Sequence, residues 1–336
     1  MTNTDLGYGY DLLEYLTAYQ KPAIIMAAHR LGVFKALAEG PATLAELSRR
    51  VGAPRRSLGI LVRACVALEL LELEDGRYAN GELASRVLVP GRPGYIGRLV
   101  DKEYLFYQAW GSLADSVRMD QPALAPLPVR LRADPEPTRN FLEALDDIAT
   151  LYGGAFTGTL ALEGHETVLD VGGGVGSYAV ALAKAHPDLK VTILELPTVV
   201  PWARDFIAQA GLAGRIDVVP LDFMADPFPE GHDVVLFSNI FHDNPPTMNQ
   251  GLLAKAYAAL PAGGTVVAHE FLLDPDRVEP VASAVFAVMM LVENAGGNVY
   301  TAGEIEGWME TAGFEERTTR RFPDPSPMGL VRGRKA

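Results

Sequence analysis

Thr167-Val168-Leu169-Asp170-Val171-Gly172-Gly173-Gly174-Val175-Gly176 is the stretch on which the fold turns. A short apolar run rich in β-branched residues reads as a buried strand. The glycines after it predict a sharp turn into a helix over Gly176–His186. Glycine there takes up positive φ and lets a ligand approach the backbone closely. The first N–H groups of the helix have no partner within it and suit a carboxylate or phosphate.

The alternation continues towards the C-terminus. Strands are predicted at Lys190–Leu194, Ile216–Pro220, Asp233–Phe237 and Gly264–Leu272, with helices at Thr198–Ala210, Pro246–Leu260 and Thr301–Ala312. Strand and helix in turn imply an α/β fold: a doubly wound, mostly parallel, Rossmann-like sheet with helices on both faces. Phe314–Thr319 and Met328–Arg332 add two short strands, predicted to pair antiparallel at the sheet edge.

Towards the N-terminus the pattern is helical. Leu12–Leu37 carries apolar residues at helical spacing, with a break expected near Pro22. Thr43 and Glu46 form a capping-box pattern, and Gly52 is a helix stop. A second helix is predicted over Arg55–Leu68, then a hairpin of Leu70–Glu74 and Arg77–Ala79 around Asp75-Gly76. Helix, turn, helix and hairpin make a winged-helix-like pattern. Such a unit either reads DNA or serves as a dimerisation scaffold. The net charge of -13 disfavours a phosphate backbone. The second helix also presents Ile60, Leu61, Val62, Val66 and Leu68 rather than basic residues, so dimerisation is favoured. Gln121–Pro137 reads as a proline-rich loop, and a helical pattern resumes at Asn140. The division expected is 1–100, dimerisation; 101–160, a helical connector; 161–336, the catalytic domain.

At 336 residues, about two domains of ~150 residues are expected. The single cysteine, Cys65, lies in an apolar run and reads as a buried thiol. It allows no intrachain disulfide, which fits a reducing cytoplasm. Met1–Asp11 is polar and unlike a signal peptide, and no apolar run reaches the ~20 residues of a membrane helix. Neither nucleic acid nor membrane is an expected partner. No His/Cys cluster accompanies the acids, so no metal is expected.

Ligands of an open parallel sheet bind beyond the carboxyl ends of its strands. Asp170 stands there before Gly172, Gly174 and Gly176, suited to a ligand bearing an ammonium group, such as S-adenosylmethionine. Glu195 ends the second strand, placed to accept ribose hydroxyls, and Asp222-Phe223 follows the third, suited to an adenine ring. A dinucleotide competes for the same turn, because Gly174-Val175-Gly176-Ser177-Tyr178-Ala179 also reads as G-x-G-x-x-A.

The ordered set Val168–Gly176, Leu194-Glu195-Leu196-Pro197, Leu221-Asp222-Phe223, Ile240-Phe241-His242-Asp243, Leu260–Gly264 and Glu293–Gly297 resembles small-molecule O-methyltransferases. These include plant caffeate and isoflavone enzymes and bacterial antibiotic-tailoring enzymes. The resemblance spans nearly the whole chain and implies a homodimeric, S-adenosylmethionine-dependent enzyme acting on a small acceptor. It implies that Asp170, Gly172 and Gly174 line the methionine end of the cofactor, Glu195 the ribose, and Asp222 and Phe223 the adenine. Ser238 or Asn239 touches the cofactor, His242 is the general base, and Glu270, ending the fifth strand, orients it. Phe106, Trp110, Met289, Met290 and Glu293 are expected at the acceptor pocket, with Tyr8, Tyr10 and Tyr15 offered to a partner subunit.

The chain departs from the family at three places. Ser238 stands where a lysine is common, Asn244 where tryptophan follows His-Asp, and Asn298-Val299 where a further acid is expected. These departures keep open S- or N-methylation, and a methyltransferase-like protein with non-methylating chemistry.

Overall fold

The computed structural model describes residues 3–125, 129–130, 135–162 and 164–336. The chain divides into two compact units, Met1–Tyr107 and Gln108–Ala336.

In the first unit the predicted long helix is three: α1 (Asn3–Thr17), α2 (Gln20–Arg30) and α3 (Val33–Leu37). The first break precedes Pro22, which sits in the first turn of α2, where a missing N–H costs nothing. The second falls at Gly32, whose φ is 74°. Strand β1 (Ala42–Thr43) leads into α4 (Leu44–Val51), and α5 (Arg55–Ala67) follows. The capping box forms as predicted: Thr43 Oγ1 accepts from Glu46 N at 3.3 Å, and Glu46 Oε2 accepts from Thr43 N at 2.8 Å. Strands β2 (Leu71–Glu74) and β3 (Arg77–Asn80) make the hairpin, and β1 adds a third strand in the order β1-β3-β2. Phe34, Leu47, Leu58, Val62 and Cys65 are buried between these elements. Burial raises the Cys65 thiol pKa to about 11, so it stays protonated and inert. Helices α6 (Glu82–Val87) and α7 (Gly97–Trp110) follow.

The second unit opens with α8 (Leu113–Met119) and the long α9 (Pro135–Thr159). Part of the predicted loop, residues 126–128 and 131–134, lies outside the described residues. Helix α9 begins at Pro135, ahead of the expected Asn140, because proline is tolerated in a first helical turn. Then come β4 (Thr167–Val171), α10 (Ser177–Ala185), β5 (Lys190–Glu195), α11 (Val200–Gln209), β6 (Ile216–Pro220), β7 (Val234–Ser238), α12 (Pro246–Ala259), β8 (Thr265–Leu273), α13 (Val281–Glu293), β9 (Tyr300–Thr301), α14 (Ala302–Ala312), β10 (Glu315–Arg321) and β11 (Met328–Arg334).

The strand order is β10-β11-β8-β7-β4-β5-β6, with β9 beside β8. The pairs among β4 to β8 are parallel, and β11 runs antiparallel to both β8 and β10. Side chains alternate across this sheet. Val168, Ile193, Leu236 and Val267 face one core, and Leu169, Leu194, Phe237 and Ala268 the other. Burying each such aliphatic or aromatic side chain contributes roughly 1.5–3 kcal/mol. The chain builds outward from β4 to β5 and β6, then returns to β7 on its other side. Strand order therefore reverses between β4 and β7, where a doubly wound sheet opens a ligand crevice.

Candidate active site

The glycine turn sits at that reversal. Gly172, Gly174 and Gly176 have φ of 71°, 60° and 94°, a region that strains other residues. A Cβ on Gly173 would lie 2.4 Å from Asp170 Oδ2, and one on Gly172 would lie 2.6 Å from Ile240 Cδ1 and 3.1 Å from Phe223 Cε1. At Gly172 and Gly173 the turn thus has no room for a side chain.

Asp170 is 1 % exposed, and both its carboxylate oxygens lack a hydrogen-bond partner among the described residues. Burial, then the nearby Glu195, raises its pKa to about 7. Glu195, also buried, is raised to about 7 by desolvation, against backbone N–H donors from Leu196 and Gly174. The Gly174 bond, 3.0 Å to Glu195 Oε1, ties the turn to the next strand. Two buried acids, one with orphaned acceptors, call for a ligand bringing an ammonium and hydroxyl donors. They oppose a diphosphate. S-adenosylmethionine fits this pair of acceptors and a dinucleotide does not.

Asp222 and Phe223 open the loop after β6. Asp222 Oδ1 accepts from Met224 N at 3.1 Å. Lys255 on α12 clasps this loop, donating to the carbonyls of Phe223, Met224 and Asp226 at 3.0, 2.9 and 2.9 Å. Ser238 and Asn239 leave β7 one step beyond the last β4–β7 pair, Val171 with Phe237, and so lie beside Gly172. Asn239 has φ of 58°, which bends the chain into the catalytic turn.

His242 lies in a 3₁₀ turn, Phe241–Asp243, and is 7 % exposed. Its Nδ1 is 2.6 Å from Glu270 Oε2. Glu270 Oε1 accepts from Ile240 N and Phe241 N at 2.9 and 2.6 Å, so one carboxylate fixes both the turn and the imidazole on it. Glu270 does not end its strand as expected: β8 runs on to Leu273 because β11 pairs with it as far as Phe271 and β9 pairs with Leu272 and Leu273. It does stand one residue past the parallel ladder, which closes at Ser238 with His269. Burial alone would lower the His242 pKa, but Glu270, Asp243 and Glu293 outweigh it and hold it at about 9.

The departures at Asn244 and Val299 have structural answers. Asn244 Nδ2 donates to Ile240 O at 2.8 Å, closing the turn. Tyr300 Oη donates to Asn244 O at 2.7 Å. Val299 is fully buried, and Asn298 N donates to His242 O at 2.9 Å. The acid near His242 Nε2 is its own neighbour, Asp243, at 3.7 Å. Asn294 Nδ2 holds Asp243 Oδ1 at 2.6 Å. Sequence reasoning missed this pair, because adjacent residues point the same way only in a tight turn such as this one.

Helix α13 brings Met289, Met290 and Glu293 towards the same turn. Glu293 is buried and paired to Arg130, a partner the sequence did not suggest. Met290 is buried and Met289 half-buried. Phe286 stacks on Phe271 at 4.0 Å and meets the His242 ring edge-on at 5.0 Å. Trp110 ends α7 half-buried. Phe106, in the first unit, is fully buried with Lys102 Nζ 4.5 Å from its ring centre. Tyr10 and Tyr15 are exposed on α1, and the side chain of Tyr8 lies outside the described residues.

Residues 110–315 match the family model of the O-methyltransferase domain, and residues 13–90 that of the O-methyltransferase dimerisation domain. The chain belongs to the O-methyltransferase family. The 3-hydroxy-5-methyl-1-naphthoate 3-O-methyltransferase of Streptomyces sahachiroi is 40% identical, over 97% of this chain and 95% of its own. Human N-acetylserotonin methyltransferase, solved with S-adenosylmethionine, has a TM-score of 0.89 at 27% identity, covering 98% of each chain. An O-methyltransferase from neocarzinostatin biosynthesis, solved with S-adenosylmethionine and 2-hydroxy-5-methyl naphthoic acid, has a TM-score of 0.78 at 26% identity, covering 94% and 96%. The present chain is an S-adenosylmethionine-dependent O-methyltransferase of small molecules, and the dinucleotide and non-methylating alternatives are not favoured. Among the described residues, no helix is long and apolar enough to cross a membrane.

Proposed function

We propose that this family member methylates the hydroxyl of a flat aromatic acceptor in a homodimer, with His242 as general base and Glu270 as its orienting partner. The observation that carries this is the 2.6 Å contact of His242 Nδ1 with Glu270 Oε2, beside the stacked Phe271–Phe286 pair. The aromatic wall suits a planar ring, and the naphthoate-directed relative supports the same acceptor class. Residues 1–100 dimerise, 101–160 connect, and 161–336 carry the chemistry, in the cytoplasm.

When bound, S-adenosylmethionine supplies a methyl group on a sulfonium, already activated for in-line displacement. Asp170 and Glu195 would hold its cationic and hydroxyl ends, and Asp222 and Phe223 would bracket its adenine. His242 takes the acceptor's hydroxyl proton at Nε2, so that the oxygen attacks with a full lone pair. Glu270 keeps Nδ1 protonated beforehand and stabilises the imidazolium afterwards, with Asp243 adding negative charge on the other side. His242→Ala is expected to lower kcat by about 10²–10⁴-fold while S-adenosylmethionine still binds. Release of S-adenosylhomocysteine from a panel of hydroxynaphthoates and simpler phenols measures this. Full turnover by the variant sinks the base role.

A further inference from the structure

Consecutive residues of β8 leave the sheet on opposite faces. Glu270 goes to the side of His242. His269 goes to the other, is fully buried, and sits in a box of rings: Phe156 at 4.7 Å, Tyr178 at 4.9 Å and Phe322 at 5.2 Å between centroids. One of its nitrogens is engaged, Nδ1 with Ser238 Oγ at 2.9 Å. Among the described residues Nε2 has no partner.

This arrangement favours one tautomer. Asn239 Nδ2 donates to Ser238 Oγ at 3.4 Å, which leaves the Ser238 hydroxyl hydrogen for His269 Nδ1. Nδ1 is then an acceptor, and the ring hydrogen sits on Nε2, which is buried among aromatic rings. Burial, and then the charge of His242, pushes the His269 pKa down to about 3, so the ring stays neutral. The strand adds a backbone bond, Asn239 N to His269 O at 2.9 Å.

We propose that His269 is a positioning residue for the cofactor: through its neutral Nδ1 it holds the Ser238-Asn239 strand end against the glycine turn. The inference rests on the reading that Ser238 and Asn239 border bound S-adenosylmethionine. Glu270 anchors Ile240 to His242 from one face of β8, and His269 anchors Ser238 and Asn239 from the other. Ser238, placed where a lysine is common, is one half of a pair whose other half is a buried histidine.

Side-chain shape supplies the test. Asparagine at 269 puts an acceptor oxygen where Nδ1 sits, whereas glutamine reaches only to the Nε2 position and leucine offers no acceptor. S-adenosylmethionine binding would be measured by calorimetry, and kcat, both KM values and the pH profile by turnover. His269→Gln and His269→Leu are expected to weaken cofactor binding about tenfold, the loss of roughly one hydrogen bond. His269→Asn should stay within about threefold of the parent, and the rising limb set by His242 should not move in any of them. Ser238→Ala, a deletion too small to threaten folding, should weaken binding like His269→Leu and remove the difference between Asn and Leu at 269. Equal affinity of the Asn and Leu variants, or parent affinity in Ser238→Ala, overturns the proposal. Asp170→Asn is the control. If it too leaves affinity unchanged, the cofactor-site reading itself has failed; if it alone weakens binding, only the role of His269 has.

Discussion

His242 and His269 flank the same strand, are both buried, and behave as opposites. His242 is held at about 9 and His269 at about 3. Burial lowers both, because each imidazolium loses its hydration. The difference is what replaces the water. Glu270, Asp243 and Glu293 surround His242, whereas Phe156, Tyr178 and Phe322 surround His269. Desolvation dominates until carboxylates are near enough to reverse it. The outcome is one imidazole able to carry a proton and one that stays a fixed neutral acceptor.

Removing the carboxylate that separates the two is the largest perturbation available. Glu270→Gln leaves a carbonyl for the Ile240 and Phe241 N–H groups, but takes away the charge behind His242. Turnover should fall by about 10²–10⁴-fold, with S-adenosylmethionine affinity retained. The rising limb of kcat/KM against pH should move from about 9 towards ordinary histidine values, because rate follows the neutral fraction of the base. An unmoved limb means another group sets it, and the contrast between the histidines is then not electrostatic. Glu293→Gln makes the same test more gently. Its carboxylate also raises the His242 pKa, though less than that of Glu270. The limb should fall by less than about one unit, and a rise would contradict the assignment.

The sequence was most legible where local chemistry determines structure. The turn Gly172–Gly176, the capping box at Thr43, and the acids at the ends of β4 and β5 announce themselves by residue type and spacing. The His242–Glu270 contact came from resemblance, since nothing local joins a loop histidine to a residue on the next strand. Three features stayed hidden. Asp243 serves His242 only because the 3₁₀ turn folds neighbours together. Arg130 reaches Glu293 across a long sequence separation. His269 looks like a strand residue whose ring has no reason to be polar, and its role emerges only when Ser238 is seen to pair with it in the β7–β8 register. The break expected near Pro22 is there, between α1 and α2, whereas α9 starts at Pro135 rather than Asn140, because proline within a first helical turn costs little.

The smallest expected effect concerns stability, and it separates the two histidines by sign. Between its ordinary value near 6.5 and its folded value near 9, His242 binds its proton more tightly in the folded protein. Its contribution to stability is therefore complete below about 6.5 and lost as pH rises through 9. His269 does the reverse. Between about 3 and 6.5 the unfolded chain takes up a proton that the folded protein refuses. Stability attributable to His269 is thus lost as pH falls below 6.5, by about 1.4 kcal/mol per pH unit for one proton. Asp170, Glu195 and Asp243, each raised to about 7, act in the same acid range with the opposite sign, so the total curve hides the term. A difference curve isolates it. The free energy of urea unfolding, measured for parent and His269→Asn from pH 8 to pH 5, should differ by a constant above 6.5 and shift in favour of the variant below it. A difference independent of pH would show that His269 takes up its proton inside the fold. Its Nδ1 would then be a donor at acid pH, and the contrast with His242 would be one of degree rather than kind.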